Sequence, residues 1–435
     1  MPPIFRRLVA AQFLSALADN ALLLVAIALI QRSDQPGWWV PLLKFFFIAS
    51  YVLLAPIIGA WADAVPKARL MAWMNAVKLG GALALCAGLH PLAAFALIGM
   101  GAAAYAPAKY GLVTELVGSH RLVAANAWVE VSVVGAVLLG TAAGGYLVSD
   151  LFADSALATT LASWASAVGF GEAALAPALW VVLLIYAAAS AVNPVDTRVV
   201  RLLPASVRPR ELLQQFLADS RTLWRDRDGG RLSLAVTSVF WGAAAVLQFA
   251  VLKWATDRIG LSLASAAYLQ AAVALGLIGG ASIAGRRVGL RQAPRMLVAG
   301  VVLGVLVAVG PWLHDVPVAV ALMVAVGIAG GLLMVPMNAL LQHRGCQLLS
   351  AGRSIAVQGF NENASVLVQL ALYALLIALQ VPIAPLMTGF GLAIAGSMVL
   401  LGWRFRRSKR RAAAAATALH AARVQMLNGR SNSGL

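Results

Sequence analysis

The sequence predicts an all-α polytopic membrane protein with twelve transmembrane helices in two six-helix halves. Three observations carry this. Hydrophobic residues make up 61% of the 435 residues and charged residues only 11%, against roughly 25% charged in a typical soluble domain. Apolar runs of about 20 residues recur from end to end, the length that crosses ~30 Å of hydrocarbon at 1.5 Å per residue. Basic residues concentrate in alternate connections between those runs.

The expected spans lie at about 8–31, 41–62, 70–90, 92–118, 123–148, 174–194, 232–256, 263–284, 294–313, 316–342, 353–378 and 382–403. With the N-terminus in the cytoplasm, all but six of the 33 Lys and Arg residues fall on the inner side. The exceptions are Arg32 and Arg258 in outer loops, Lys44 and Lys253 near outer span ends, and Lys78 and Lys109 inside spans. Asp34, Asp150, Asp154, Glu172, Asp257 and Asp315 fall outside. The positive-inside rule therefore puts both termini in the cytoplasm. The formal net charge of +17 is read as topology and contact with anionic membrane lipids, not as nucleic-acid binding. "FRRLVAAQFLSALA" imitates a signal peptide, but the apolar run continues from Asp19 to Ile30, so an uncleaved first span is expected. Cys86 and Cys346 offer neither a disulfide framework nor a metal cluster.

Residues 1–194 form the expected first half and 232–404 the second. Between them, 195–231 reads as a cytoplasmic linker with a short amphipathic helix around Glu211 to Trp224; 405–435 reads as a basic cytoplasmic tail, polybasic and then alanine-rich. In the long outer connection 150–173, Phe152, Leu157, Leu161, Trp164 and Val168 are expected to share one face of an interfacial helix. The halves echo each other. "APAKYGLVTELVG" at 106–118 parallels "VPMNALLQHRG" at 335–345, and Glu130 in "NAWVEVS" parallels Glu362 in "GFNENAS". Two matches in order favour a duplicated six-helix unit, the mark of alternating-access transporters with a site between the halves.

Asp19, beside Asn20, sits inside the apolar run "LSALADNALLLVAIALI". Asp19, Lys78, Lys109, Glu130 and Glu362 all lie roughly 7 to 11 residues from the inner ends of their spans, about 10–17 Å deep. A lone charge there costs at least ~2.5–3.5 kcal/mol on insertion scales. Asp19 is therefore expected to face the bundle interior and pair with Lys78 or Lys109. The set is either a group of helix-joining salt bridges or a headgroup site and gate. Lys44 and Lys253 are expected to snorkel to the outer interface. No nucleophile–base set, phosphate-cradling loop or metal-ligand cluster occurs, and the five His residues are scattered. A non-enzyme without cofactor is expected.

"GAWADAVPKAR", Gly59 to Arg69, resembles the loop motif of the major facilitator superfamily, G-x-x-x-D with basic residues following. The match covers Gly59, Asp63, Lys67 and Arg69. The resemblance implies the major facilitator fold, with Asp63 tying this loop to the opposite half in one state of the cycle. The second half has "GGASIAGRRVG", with glycines and bases but no acid, so only half of that network is expected there. "GTAAGG", Gly140 to Gly145, suits tight helix packing.

"AQFLSALADNALL", "GAAAYAPAKYG", "FWGAAAVLQF", "VPMNALLQHRG" and "AVQGFNENAS" closely resemble the lysophospholipid transporter family, LplT, of Gram-negative bacteria, over about residues 8–404. The resemblance implies an inner-membrane protein that moves lysophosphatidylethanolamine and lysophosphatidylglycerol from the outer to the inner leaflet. A partner acyltransferase, of the Aas type, would reacylate them there. Asp19 matches the family's first-span acid, and Lys78, Lys109, Glu130 and Glu362 sit in matching segments. Gln248 stands where the family pattern has arginine, so Lys78, Lys109 or Lys253 would have to supply a phosphate-binding charge. A single-tailed lipid also implies a lateral apolar gap, with Gly135 to Gly145 or Leu275 to Ala284 as candidate walls. The alternatives are a facilitator antiporter for drug-like or other small soluble substrates, and a non-transporting scaffold that recruits the acyltransferase.

Overall fold

The computed structural model describes residues 2–32, 39–167, 175–193, 209–261 and 263–431. Among them the chain forms fifteen α-helices: α1 Pro3–Arg32, α2 Trp39–Ala64, α3 Lys67–Cys86, α4 Pro91–Leu116, α5 Leu122–Leu147, α6 Asp150–Ala153, α7 Ala156–Ala167, α8 Ala176–Val192, α9 Pro209–Arg225, α10 Gly230–Trp254, α11 Leu263–Arg287, α12 Leu297–Val309, α13 Val316–Leu348, α14 Ala351–Ala378 and α15 Ile383–Ser431. Boundaries follow local chemistry. Pro91 starts α4, where a missing N–H costs nothing, and the His90 side chain accepts from Leu92 N–H (3.2 Å). Gly88, at φ 87°, turns the chain out of α3 in a conformation a Cβ would resist.

Among the described residues, ten helices are long and apolar enough to cross a membrane. The segments expected as the third and sixth spans form helices, α3 and α8, that are not among these ten. Helix α3 carries Lys67, Arg69 and Lys78, and α8 is only 17 residues long, about 25 Å against ~30 Å of hydrocarbon. Both pack among the long helices, α3 on α4 and α8, and α8 also on α1.

The packing repeats. The helix α1 packs on α5 and α8, α2 on α4, and α3 on α4 and α8; correspondingly α10 packs on α14 and α15, α11 on α13, and α12 on α13 and α15. Small residues permit the close crossings. Gly140 and Gly144 of "GTAAGG" sit against α1, where a Cβ would lie 2.6 Å from Leu17 O and 2.8 Å from Ala21 O. The two sets meet along two seams, α2 with α14 and α5 with α11.

The expected linker helix is α9. Its Phe216 and Leu223 are buried, and Phe216 stacks edge-on with Phe360 of α14 (5.3 Å). The outer connection differs from expectation. Leu161 is buried with Ala158 and Ala165 against the bundle, whereas Leu157 and Trp164 are exposed. Facing inward are the small alanines with Leu161, so the large apolar residues do not share one environment. Val168 lies outside the described residues. At the other end of the chain, α15 continues through the basic run to Ser431, in keeping with alanine's helix propensity.

Candidate functional site

The five intramembrane charges do not form one network. They divide into a pair inside the first helical set and three groups on a cavity between the sets. Lys78 Nζ of α3 bonds Asp19 Oδ2 of α1 at 2.6 Å and Ser15 Oγ at 3.0 Å. The Tyr186 hydroxyl of α8 donates to Asp19 Oδ1 (2.6 Å), and Ser15 Oγ donates to Asn75 (2.9 Å). With Lys78 3% and Asp19 17% exposed, each charge offsets the other's burial. Lys78 also lies 5.2 Å from the Tyr105 ring centroid. Lys109 belongs elsewhere. Its Nζ sits over the Tyr110 ring at 4.3 Å, facing the cavity with Glu130 and Glu362.

That cavity has a volume of about 280 Å³. Its wall includes Tyr51 of α2, Lys109 and Tyr110 of α4, Glu130 of α5, Trp241 of α10 and Glu362 of α14. The repeat-related carboxylates thus line the same space. A second cavity of about 340 Å³ opens beside it, walled by Val134 and Val137 of α5, Leu247 of α10, and Val273, Ala274 and Leu277 of α11. Glu130, Val133 and Trp241 line both cavities. A polar chamber therefore adjoins an apolar cleft along the α5–α11 seam.

Two expected site residues lie apart from this centre. Asn20 Nδ2 donates to Ala16 O of its own helix (2.8 Å), and its Cβ sits against Gly140. One residue after Asp19, a turn of about 100° carries it from Lys78 to the α5 crossing. Gln248 is exposed at the edge of the apolar cleft, where its carbonyl accepts from Gln270 Nε2 (2.7 Å). Lys253 pairs with Asp257 (2.8 Å) at the C-terminal end of α10 and lines neither cavity. Gly144, within one candidate gap wall, faces α1 instead. Both candidate runs still reach the cleft, the fifth-span run through Val137 and Leu138 and the eighth-span run through Leu277.

Below the cavity, at the end carrying α9, the two helical sets are joined. Asp63 accepts from Ser350 Oγ, from Gly352 N–H (3.0 Å) and from Arg353 N–H (3.3 Å). It caps the N-terminus of α14, where the helix dipole favours an anion. Gly59 permits the approach, lying against Ala356 and Arg353. Lys67 pairs with Glu115 (2.5 Å), tying the loop to α4, and Arg69 is exposed.

Sequence reasoning missed an amide cluster. Asn126 of α5 exchanges two 2.9 Å hydrogen bonds with Gln342 of α13. Asn338 Nδ2 donates to Asn126 Oδ1 (3.3 Å); Gln358 Nε2 donates to Asn338 Oδ1 and Glu362 Oε1, both 2.8 Å. All four amides are buried. They link the joined end to a cavity carboxylate. Their only signal in the sequence is polarity within apolar runs. These hydrogen bonds between α1–α8 and α10–α15, with those of Asp63 and of Cys346 on Thr114, gather at this end.

Farther out, Arg344 grips Asp226 through two nitrogens (3.1 and 2.6 Å), and Arg353 binds Asp219 of α9. Burial alone would raise the Asp226 carboxyl, but bonds from Arg344 and Gly230 N–H hold it below its ordinary value.

This architecture, two matching helical sets around a central chamber closed at one end, is that of a major facilitator transporter, and residues 8–345 match the Major Facilitator Superfamily model. The chain is 40% identical to the lysophospholipid transporter LplT of Yersinia enterocolitica serotype O:8 / biotype 1B (strain NCTC 13174 / 8081), over 86% of this chain and 87% of that one. It is 41% identical to that of Yersinia pestis (strain Pestoides F), over 88% and 89%. The chain belongs to the lysophospholipid transporter LplT family. Among solved structures, it is similar in fold to the human organic anion transporter MFSD10 (TETRAN), with a TM-score of 0.69 at 15% identity over 93% of this chain and 100% of that one. It also resembles a bacterial homologue of the iron transporter ferroportin in its outward-facing state, with a TM-score of 0.66 at 15% identity over 94% and 100%.

Proposed function

We propose that the protein is a lysophospholipid transporter that moves lysophosphatidylethanolamine and lysophosphatidylglycerol from the outer to the inner leaflet of a Gram-negative inner membrane, by alternating access and without catalysis. The carrying observation is the adjoining pair of cavities, one polar and one apolar, that share Glu130, Val133 and Trp241. A lysophospholipid has the same two parts. Its headgroup fits the chamber, with Lys109 on the phosphate and Glu130 and Glu362 on an ethanolamine ammonium. Its tail stays in the cleft between α5 and α11, open to hydrocarbon. Withdrawing each CH₂ into water would cost roughly 0.8 kcal/mol.

In this reading α3 and α8 complete twelve spans, residues 1–194 and 232–404 are the moving halves, 195–231 is the linker and 405–435 the tail. The α9 end and both termini are cytoplasmic, which makes the described state closed to the cytoplasm. Reversal would part the Asp63 contact and the amide cluster. Asp19 and Lys78 then act as an internal brace that holds α1, α3 and α8 together through the cycle. Delivery to the inner leaflet would feed a lysophospholipid acyltransferase of the Aas type.

The test is reconstitution into vesicles with labelled lysophosphatidylethanolamine. Unlabelled lysophosphatidylethanolamine should compete, whereas tail-free glycerophosphoethanolamine should not. Equal competition by the tail-free compound would show that the cleft adds no binding energy and would replace this reading with a soluble substrate.

A further inference from the structure

A third cavity lies outside both seams, on the face of the second helical set. It is a groove of about 300 Å³ between the start of α12 and the later part of α15. Val298, Val301, Met398 and Val399 supply apolar wall, and Arg295 and Arg406 complete one end. Val298 is 69% and Val399 54% exposed, on helices that are long and apolar enough to span a membrane. On a span, exposed apolar side chains of this kind have hydrocarbon tails as their natural neighbours.

The charged end is shaped by the chain itself. Arg295 lies in the 3₁₀ turn Leu290–Met296 that leads into α12. Arg406 folds back along α15, its Nε donating to Gly402 O (3.3 Å). A Cβ on Gly402 would stand 3.3 Å from Leu297 Cδ1 and 3.6 Å from Arg406 Nη2. The glycine therefore leaves room beneath a guanidinium at the rim. Among the described residues no carboxylate lines the groove, and nearby Asp228 is engaged by Lys409 and Arg344. Two guanidiniums at the end of an apolar trough match a phosphate ester joined to acyl chains, since the planar fork suits phosphate oxygens.

We propose that this groove holds one anionic diacyl phospholipid of the leaflet on the α9 side. Its phosphate sits between Arg295 and Arg406, and one acyl chain lies along Val298, Val301, Met398 and Val399. The site is separate from the transport cavities, and it stands whichever lipid is transported. Basic pockets between helices at the cytoplasmic interface are suited to such headgroups.

The experiment uses the full-length protein in detergent, with phosphatidylglycerol or phosphatidylcholine added and retained lipid read by native mass spectrometry. Phosphatidylglycerol should be retained, and phosphatidylcholine much less. The double variant Arg295→Gln/Arg406→Gln should bind phosphatidylglycerol ~30-fold more weakly, as expected for two interfacial cations. Gly402→Leu, which keeps both arginines but fills the groove, should also lose it. Arg286→Gln, outside the groove, should not. Melting of each variant without lipid checks folding; if Gly402→Leu fails to fold, the surface arginine variant still decides. Equal retention of phosphatidylglycerol by the arginine variant, or equal retention of phosphatidylcholine, overturns the proposal. So does equal stabilisation by millimolar inorganic phosphate, which would show that the acyl chains contribute nothing.

Discussion

The two seams between the helical sets occupy related positions in a repeated fold, yet they are built from different chemistry. At the α2–α14 seam, Asp63 accepts three hydrogen bonds at the start of α14. At the α5–α11 seam, Gly285 packs against Ala127, the connection 288–296 contains no acid, and Arg121 at the start of α5 makes no side-chain cap. A carboxylate on backbone N–H groups is directional, and its loss leaves donors unpaired. Glycine on alanine holds by contact alone, and the polar tie of α5 to the second set runs instead from Asn126 to α13. The apolar cleft lies along this second seam. Where the repeat loses its acid, an apolar cleft stands beside the seam.

The largest expected effect falls on the pair that lies in neither seam. Asp19→Asn keeps the shape but leaves Lys78 charged and buried. Breaking a buried pair costs ~3–5 kcal/mol; Asp19 is 17% exposed, so on the order of 2–3 kcal/mol is expected here. Detergent melting should show it, together with reduced transport and normal membrane insertion. Wild-type melting and full activity would remove the pair from the account, leaving the seams to carry all state dependence.

Next comes the cleft. Ala274→Trp places an indole among Val137, Leu247 and Leu277 without removing any polar cavity group. Displacing even two methylenes of a tail is worth about tenfold. Lysophosphatidylethanolamine transport should fall at least that far while the melting temperature stays near wild type. Unchanged transport would mean that the tail does not use the α5–α11 side.

A smaller effect is expected at the polar seam. Asp63→Asn retains one acceptor oxygen but loses the charge on the α14 dipole. Full hydrogen bonds to charged groups are worth ~1.5–3 kcal/mol; Asp63 is half-buried, so a shift of ~1 kcal/mol, about fivefold, is expected in the balance of states. A cysteine at Ala106, on the cavity wall, would then label faster from the α9 side. If Gly285→Ala produces the same increase as Asp63→Asn, the chemical contrast between the seams does not control opening.

The cost of burying charge makes parts of this site legible. Asp19 demands a cation, and the sequence offers two at matching depth. Repetition makes Glu130 and Glu362 legible as a pair. Helix rotation is what remains hidden, because it decides which of several polar residues on one helix meet. Adjacent Asp19 and Asn20 part company for that reason, and Lys109 faces the cavity and not Asp19. The amide cluster is harder still. A neutral amide costs less to bury than a charge, so Asn126, Asn338, Gln342 and Gln358 stand out only when the helices are assembled. The fold class was legible from apolar run length, whereas α3 and α8 blur the span count because one is charged and the other short.

The smallest expected effect lies outside both seams and is read by pH. Asp226 ties the segment after α9 to α13 through Arg344. Burial favours its neutral form, but the Arg344 and Gly230 bonds outweigh that and hold the carboxyl below its ordinary value, which is about 3.9 for Asp. A depressed folded-state pKa contributes stability that is fully present above the unfolded value and is lost as pH falls through the folded one. Nothing should change between about pH 7 and 5, and the loss should begin only below ~pH 4. The contribution is on the order of 1 kcal/mol, because the tie sits at the aqueous end and is screened. Melting temperatures of wild type and Asp226→Asn, measured from pH 7 to 3, should therefore converge as the acid limb is reached, with the wild type starting higher and falling more steeply. If the two curves run parallel throughout, Asp226 does not contribute charge-dependent stability.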